Sequence, residues 1–187
     1  MPGPDMNWKN TTQRYGAMAI CLHWLMLALL IAVYTCINLT DLYPKESEAR
    51  EALKTWHFML GLTVLVLVVL RLVVRLTGPA PAVVPEMAVW QKRLAGVTHL
   101  ALYALMIVMP VLGWLILSAA DEPIPFFGVH LPSLLAPDKD LADSLKEVHE
   151  AIGTLGYFLV GVHSAAALFH HYVTRDNTLL RMLPSRR

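Results

Sequence analysis

Four long runs of apolar residues alternate along the chain with shorter segments that are rich in proline and charge. The runs cover about residues 17–39, 56–76, 97–119 and 148–173. A helix of roughly 20 apolar residues crosses the hydrocarbon core of a bilayer. The pattern therefore predicts four membrane-spanning helices, connected by loops such as residues 77–90 and 121–143. The first run is long for a signal peptide and lacks a small-residue cleavage pattern, so we expect it to remain as the first span.

The composition agrees with this interpretation. Of the 187 residues, 56% are hydrophobic and 16% are charged, whereas roughly a quarter of the residues in a soluble domain are charged. The formal net charge of +1 gives no reason to expect a nucleic-acid partner. The predicted fold class is an all-α membrane protein, in which residues 1–187 form a single four-helix transmembrane bundle.

Lys and Arg are distributed unequally between the two sets of connecting segments. The side that carries both termini holds ten of them, and the other side holds five. Because segments rich in Lys and Arg stay in the cytoplasm, both termini are predicted to be cytoplasmic. The opposite side, called the outer side below, has eleven acidic residues within 41–51 and 121–150 against its five basic ones.

Five of the eight histidines lie in the apolar runs or at their ends: His23, His57, His99, His149 and His163. An ionisable side chain inside a membrane span is costly and usually functional. His149 and His163 are 14 residues apart, which places them on nearly one helix face with about 21 Å between them along the axis. This spacing suits two stacked cofactors.

Antiparallel spans supply a partner at the depth of each of these two histidines. His23 lies near the cytoplasmic start of the first span, and His57 lies near the outer start of the second. We therefore predict an inner pair, His23 with His163, and an outer pair, His57 with His149. A single interfacial histidine is more commonly a solvated hydrogen-bonding residue, but four at two matched depths favour ligands.

Two imidazoles on opposite faces of a metal are typical of an iron porphyrin. The chain has no Cys-x-x-Cys-His motif, which excludes covalent attachment by that motif and predicts two haem b groups. With both axial positions filled, no site remains for O₂, so electron transfer is predicted. A zinc or copper transporter is an alternative, although such sites normally add carboxylate or thiolate ligands.

Two interpretations are open for the positively charged residues near the proposed ligands. Lys54 and Lys146 each precede an outer ligand by three residues. They could pair with haem propionates or guide an anion, or they could simply extend to the membrane interface. Arg71 and Arg75 could meet the propionates of an inner haem or merely anchor the second span.

The four histidines outside the two predicted pairs have other candidate roles. His99 could compete with His23 as a ligand or handle protons. His170 and His171 could cap the last span at the interface or contact a quinone or a proton. His130 is predicted to be a loop residue.

Several segments together resemble the bacterial di-haem cytochrome b-561 family. They are ICLHWL (20–25), WH (56–57), HLALY (99–103), MPVLG (109–113), LKEVHE (145–150), LGYFLVGVHSAAA (155–167) and the most specific one, HHYVTRDNTLLRM (170–182). The resemblance covers nearly the whole chain. Within that family, the chain resembles the group that includes a superoxide:ubiquinone oxidoreductase of the bacterial inner membrane.

The resemblance implies the same four histidine ligands and an inner-membrane oxidoreductase that reduces ubiquinone or menaquinone. It implies superoxide as one candidate electron donor. Lys54 and Lys146, from their position one helical turn before the outer ligands, are the candidate catalytic residues at the donor end. The quinone-site candidates are His99, His170, His171 and Trp24. The acidic outer side opposes superoxide as donor, because a negative surface lowers the encounter rate of an anion. The alternative function is a haem-bearing membrane anchor that relays electrons for a partner dehydrogenase without catalysis of its own.

Overall fold

The structure, a computed structural model, describes residues 8–184 and is dominated by four helices. They are α1 (Ala17–Leu39), α2 (Glu48–Leu76), α3 (Val89–Ala119) and α4 (Lys139–Phe169). An antiparallel hairpin of β1 (Ile124–Phe126) and β2 (Val129–Leu131) lies between α3 and α4 in the chain. All four helices are long and apolar enough to cross a membrane, which confirms the predicted four-helix transmembrane architecture.

Helix α1 coincides with its apolar run. The other three helices begin earlier than their apolar runs do. Helices α2, α3 and α4 each begin about two turns before the predicted span. Two of these starts are set by capping residues. Ser47 Oγ accepts the backbone N–H of Arg50, and Asp138 Oδ1 accepts that of Leu141. Such caps satisfy backbone donors at a helix start, so polar residues can extend a helix beyond its apolar span.

The α3–α4 connection contains the hairpin, which the sequence analysis treated as a loop. Its two turn residues, Phe127 and Gly128, have φ values of 45° and 89°, as the tight turns of two-residue hairpins require. Phe127 contacts Trp56 edge to face, with 6.4 Å between the ring centres. His130 lies on β2 opposite Pro125, so its assignment to a loop was wrong.

The described chain packs as two compact units. The first unit contains residues 8–25, 69–102 and 157–184, and the second contains residues 26–68 and 103–156. An apolar cluster of the second unit has three buried residues, Leu62, Leu117 and Ile124, against which the partly buried side chains of Phe58, Trp114, Phe126 and Leu131 pack. The hairpin therefore contributes directly to the packing of that unit.

Helices α1 and α4 approach closely within the second unit. The Tyr34 hydroxyl donates a hydrogen bond to the Gly153 carbonyl at 2.8 Å. A Cβ atom on Gly156 would lie 2.3 Å from Tyr34 Oη and 3.2 Å from a Leu105 methyl. Glycine at position 156 therefore allows this close approach, and a larger residue would have to displace the Tyr34 side chain.

The C-terminal segment of the first unit, residues 175–184, is called the C-terminal strap below. It follows a π-helical turn, His170–Thr174, that continues α4. Asn177 and Val84 exchange two hydrogen bonds, of 2.9 and 3.1 Å. The indole of Trp24 on α1 donates to the Met182 carbonyl at 2.7 Å. These contacts hold the strap against the α2–α3 connection and α1.

Candidate functional site

The two histidines of the outer pair face each other in the second unit. The ring centres of His57 on α2 and His149 on α4 are 6.3 Å apart. His57 Nδ1 lies 3.0 Å from the Val33 carbonyl oxygen. Because a carbonyl only accepts hydrogen bonds, Nδ1 must carry the ring proton, which leaves a lone pair on Nε2. A histidine held in this way is oriented as a metal ligand.

Glycines leave room around the outer pair. A Cβ atom on Gly113 of α3 would lie 3.7 Å from His149 Cε1, so α3 approaches that ring with no side chain between. A Cβ atom on Gly61, four residues after His57, would have no neighbour within 4 Å. Glycine at these two positions thus keeps side-chain bulk away from the backbone beside His149 and one turn after His57.

The inner pair also meets, within the first unit. The ring centres of His23 on α1 and His163 on α4 are 6.3 Å apart, the same separation as in the outer pair. His99 on α3 is a third neighbour, with its ring centre 5.7 Å from that of His163. A Cβ atom on Gly161 would meet open space.

Arg71 makes a contact that the sequence did not predict. Its Nη2 lies 2.9 Å from His23 Nδ1. A guanidinium only donates, so Nδ1 accepts and the ring proton of neutral His23 lies on Nε2. This is the opposite tautomer from His57. Arg75 lies one turn further on, in the last turn of α2.

The ring separations fit a metal ion held from two sides. Each imidazole nitrogen would lie about 2 Å from the metal and about 1 Å from its own ring centre, so linear ligation puts the ring centres roughly 6 Å apart. Both pairs have this spacing. Within residues 8–184 no three His, Cys, Asp or Glu side chains form a group that could hold a metal ion. Two imidazoles that face each other at this spacing match the pair of ligands that a b-type haem takes.

The two lysines at the outer end of the helices form ion pairs with acids on their own helices. Lys54 Nζ lies 2.7 Å from a Glu51 carboxylate oxygen, and Lys146 Nζ lies 3.9 Å from one of Glu150. Both lysines remain partly exposed. Their positive charge is therefore partly compensated, which weakens but does not remove their attraction for an anion.

The quinone-site candidates lie in the first unit. Trp24 contacts the His23 ring edge to face and binds the C-terminal strap. His171 packs against Tyr172, with 4.8 Å between ring centres. His170 is hydrogen-bonded to Asp176, a buried acid that sequence reasoning missed. The signal available was its position six residues after His170, within the segment most specific to the family resemblance.

Comparison with known proteins decides the family. The family model described as prokaryotic cytochrome b561 matches residues 14–185. This chain belongs to that family.

The cytochrome b561 assignment is supported by relatives that align over almost their full length. Cytochrome b561 homolog 1 of Escherichia coli is 33% identical over 174 residues, covering 93% of this chain and 99% of the relative. A probable superoxide oxidase CybB of Yersinia pestis is 37% identical over 175 residues, covering 94% and 98%. Cytochrome b561 homolog 2 of Escherichia coli is 31% identical over 186 residues.

Membership confirms several predictions. A cytochrome b561 is a multi-pass protein of the bacterial inner membrane that transfers electrons and carries b-type haem. It is thus an electron-transfer protein rather than a metal-ion transporter.

Proposed function

We propose that this cytochrome b561 holds two haem b groups and transfers electrons from a donor on the outer side to quinone in the membrane, with both termini in the cytoplasm. The proposal is based on the two histidine pairs, one in each unit, whose ring centres are separated by the same distance. When bound, a bis-histidine haem supplies a one-electron carrier with no open coordination position.

In this proposal the four histidines would hold the two haem irons. His57 and His149 hold the outer haem, and the Val33 carbonyl fixes the ligating tautomer of His57. His23 and His163 hold the inner haem. Arg71, whose Nη2 lies 2.9 Å from His23 Nδ1, and Arg75 would pair with the propionates of the inner haem.

Superoxide is the donor that we favour, because the chain is 37% identical to a protein named probable superoxide oxidase. In this proposal Lys54 and Lys146 give the donor end local positive charge within an otherwise acidic outer side. Each lies one helical turn before an outer ligand.

The double variant Lys54→Gln with Lys146→Gln is expected to lower the second-order rate of haem reduction by superoxide by about 2–10-fold, since it removes local attraction for an anion. Stopped-flow absorbance at several salt concentrations measures this rate. The double variant Lys45→Gln with Lys139→Gln makes the same charge change on the outer side and should have a smaller effect. Equal effects of the two double variants would refute a local role for Lys54 and Lys146.

Quinone reduction is tested with the purified holo-protein. Two b haems per chain are expected, with a six-coordinate spectrum. A superoxide generator and ubiquinone-1 should then yield quinol, and superoxide dismutase should abolish the reaction. No quinol above background, together with co-purification of a dehydrogenase, would instead favour the membrane anchor that relays electrons for that partner.

A further inference from the structure

A cavity of about 410 Å³ lies in the first unit, where the α2–α3 connection (residues 77–88) meets the start of α3. Its lining combines three apolar side chains with one ion pair: Ala82, Val83, Met87, Glu86 and Lys92. Pockets that bind small molecules commonly have volumes of about 300–1,000 Å³. The cavity is therefore large enough for a ligand that has an apolar part and an ionic part, and it shares no residue with the histidine pairs.

The ionic part of the lining lies at the depth of lipid headgroups. Helix α3 begins at Val89, whereas its predicted apolar span begins at about residue 97. Lys92 precedes that point by five residues, or about 7.5 Å along the helix axis. The headgroup layer on each side of a bilayer is roughly 5–7.5 Å thick. Trp90 is 65% exposed, which is typical of an aromatic residue at a membrane interface.

The first unit carries a large excess of positive charge. Its described residues include eight Lys and Arg side chains against two acids, Glu86 and Asp176. Because Asp176 is fully buried against His170, Glu86 is the one exposed acid among the described residues of this unit. Such an excess attracts an anionic lipid headgroup and repels a cationic ligand.

The ion pair at the cavity is one that a phosphate group can replace. Lys92 Nζ donates a hydrogen bond to a Glu86 carboxylate oxygen. This bond and the charge of Lys92 hold the pKa of the Glu86 carboxyl below its ordinary value. However, the side chains of Glu86 and Lys92 are 80% and 46% exposed, and an ion pair between exposed side chains contributes little stability because water screens it. A lipid phosphate can therefore take the place of the Glu86 carboxylate on Lys92.

We propose that this cavity binds one anionic phospholipid of the membrane, with the lipid phosphate on Lys92 and the first part of an acyl chain on Ala82, Val83 and Met87. The apolar lining favours a lipid over a soluble phosphate compound, because the soluble compound has no group to cover it. The depth of Lys92 favours the lipid for a second reason, since lipid headgroups are already concentrated there. The site is independent of the haem ligands.

The experiment measures the dissociation constant of the first lipid that binds the full-length holo-protein in detergent, by native mass spectrometry. The two lipids are dioleoyl phosphatidylglycerol, which is anionic, and dioleoyl phosphatidylcholine, which is zwitterionic and has the same acyl chains. The wild type is expected to bind the anionic lipid at least about fivefold more tightly. Glycerol phosphate, which has the ionic group without acyl chains, should not displace the lipid when it is added in excess.

Two variants test the ion pair in opposite directions. Lys92→Gln is expected to weaken binding of phosphatidylglycerol about fivefold, because it removes the charge that binds the phosphate, and to affect phosphatidylcholine less. Glu86→Gln should strengthen binding of phosphatidylglycerol by about two- to fivefold, because it frees Lys92 and removes the competing carboxylate.

Each variant has a control that makes the same change of charge. Arg93→Gln alters the neighbouring residue, which is exposed and outside the lining. Glu122→Gln alters an exposed acid of the second unit. Both controls should change the affinity by less than about twofold, because solvent and salt screen charges outside the site. The haem spectrum should be the same in all four variants.

Each outcome supports the proposal or overturns it. Weaker binding by Lys92→Gln together with stronger binding by Glu86→Gln supports it. Equal affinities of the wild type for the two lipids overturn it, and so does wild-type affinity in Lys92→Gln. If Arg93→Gln loses as much affinity as Lys92→Gln, the preference follows net charge rather than the cavity, and the proposal fails. Displacement of the lipid by glycerol phosphate overturns the choice of a lipid and assigns the site to a soluble phosphate compound.

Discussion

His57→Ala and His149→Ala are each expected to lower the haem content to about one per chain, because a haem that loses one axial imidazole is no longer held from both sides. His23→Ala and His163→Ala should do the same to the other haem. The structure motivates this pairing directly, since each ring faces its predicted partner at 6.3 Å. Haem is quantified chemically in folded, purified protein, and reduced-minus-oxidised spectra identify which haem remains.

Double variants test the pairing itself. Two substitutions within one pair, such as His57→Ala with His149→Ala, should leave about one haem, because both remove the same group. Two substitutions across pairs, such as His57→Ala with His23→Ala, should remove nearly all haem. The opposite pattern would show that the ligands pair differently. His130→Ala, on the hairpin, is the control and should retain both haems.

A separate prediction about haem ligation concerns His99. It lies closer to His163 than His23 does, by ring centres 5.7 Å against 6.3 Å apart. A His23→Ala variant that keeps two haems, and loses one only when His99 is also changed, would identify His99 as the ligand or as its replacement.

The sequence predicted the pairing of histidines because depth in a membrane helix depends on residue count and direction alone. A residue near the start of one span meets a residue near the end of its antiparallel neighbour. That reasoning needs no side-chain detail, and it brought together His23 with His163 and His57 with His149. The end of α1 was predictable for the same reason, since the apolar run and the helix coincide.

The contacts made by polar side chains were not predictable in this way. The bond between Arg71 and His23 depends on rotation of α2 about its axis, which hydrophobicity hardly specifies when most of the helix faces lipid. The bond between His170 and Asp176 depends on the left-handed backbone of Arg175, at φ 59°, which turns the chain back on itself. Neither feature has a periodic sequence signal.

Gly156→Ala is expected to destabilise the folded protein by about 1–3 kcal/mol, as overpacking of a close contact does. The new Cβ would lie 2.3 Å from Tyr34 Oη, so the tyrosine must move and lose its hydrogen bond to Gly153. The measurement is the unfolding midpoint in detergent, followed by circular dichroism. Gly96→Ala is the control, because a Cβ there meets nothing within 4 Å, and the change should be neutral or stabilising since alanine favours helix.

A double-mutant cycle with Tyr34→Phe tests whether the Tyr34 hydroxyl causes the destabilisation by Gly156→Ala. Removing the hydroxyl removes the atom that the Gly156 Cβ would strike, so Gly156→Ala should cost less in the Tyr34→Phe background than in the wild type. The loss of stability that remains in the Tyr34→Phe background is due to the Leu105 methyls, which lie 3.2 and 3.3 Å from the same Cβ position. An equal cost in both backgrounds would mean that Tyr34 does not restrict position 156. Because Gly156 lies seven residues from both His149 and His163, on nearly the same helix face, a shift of α4 there should also lower haem content.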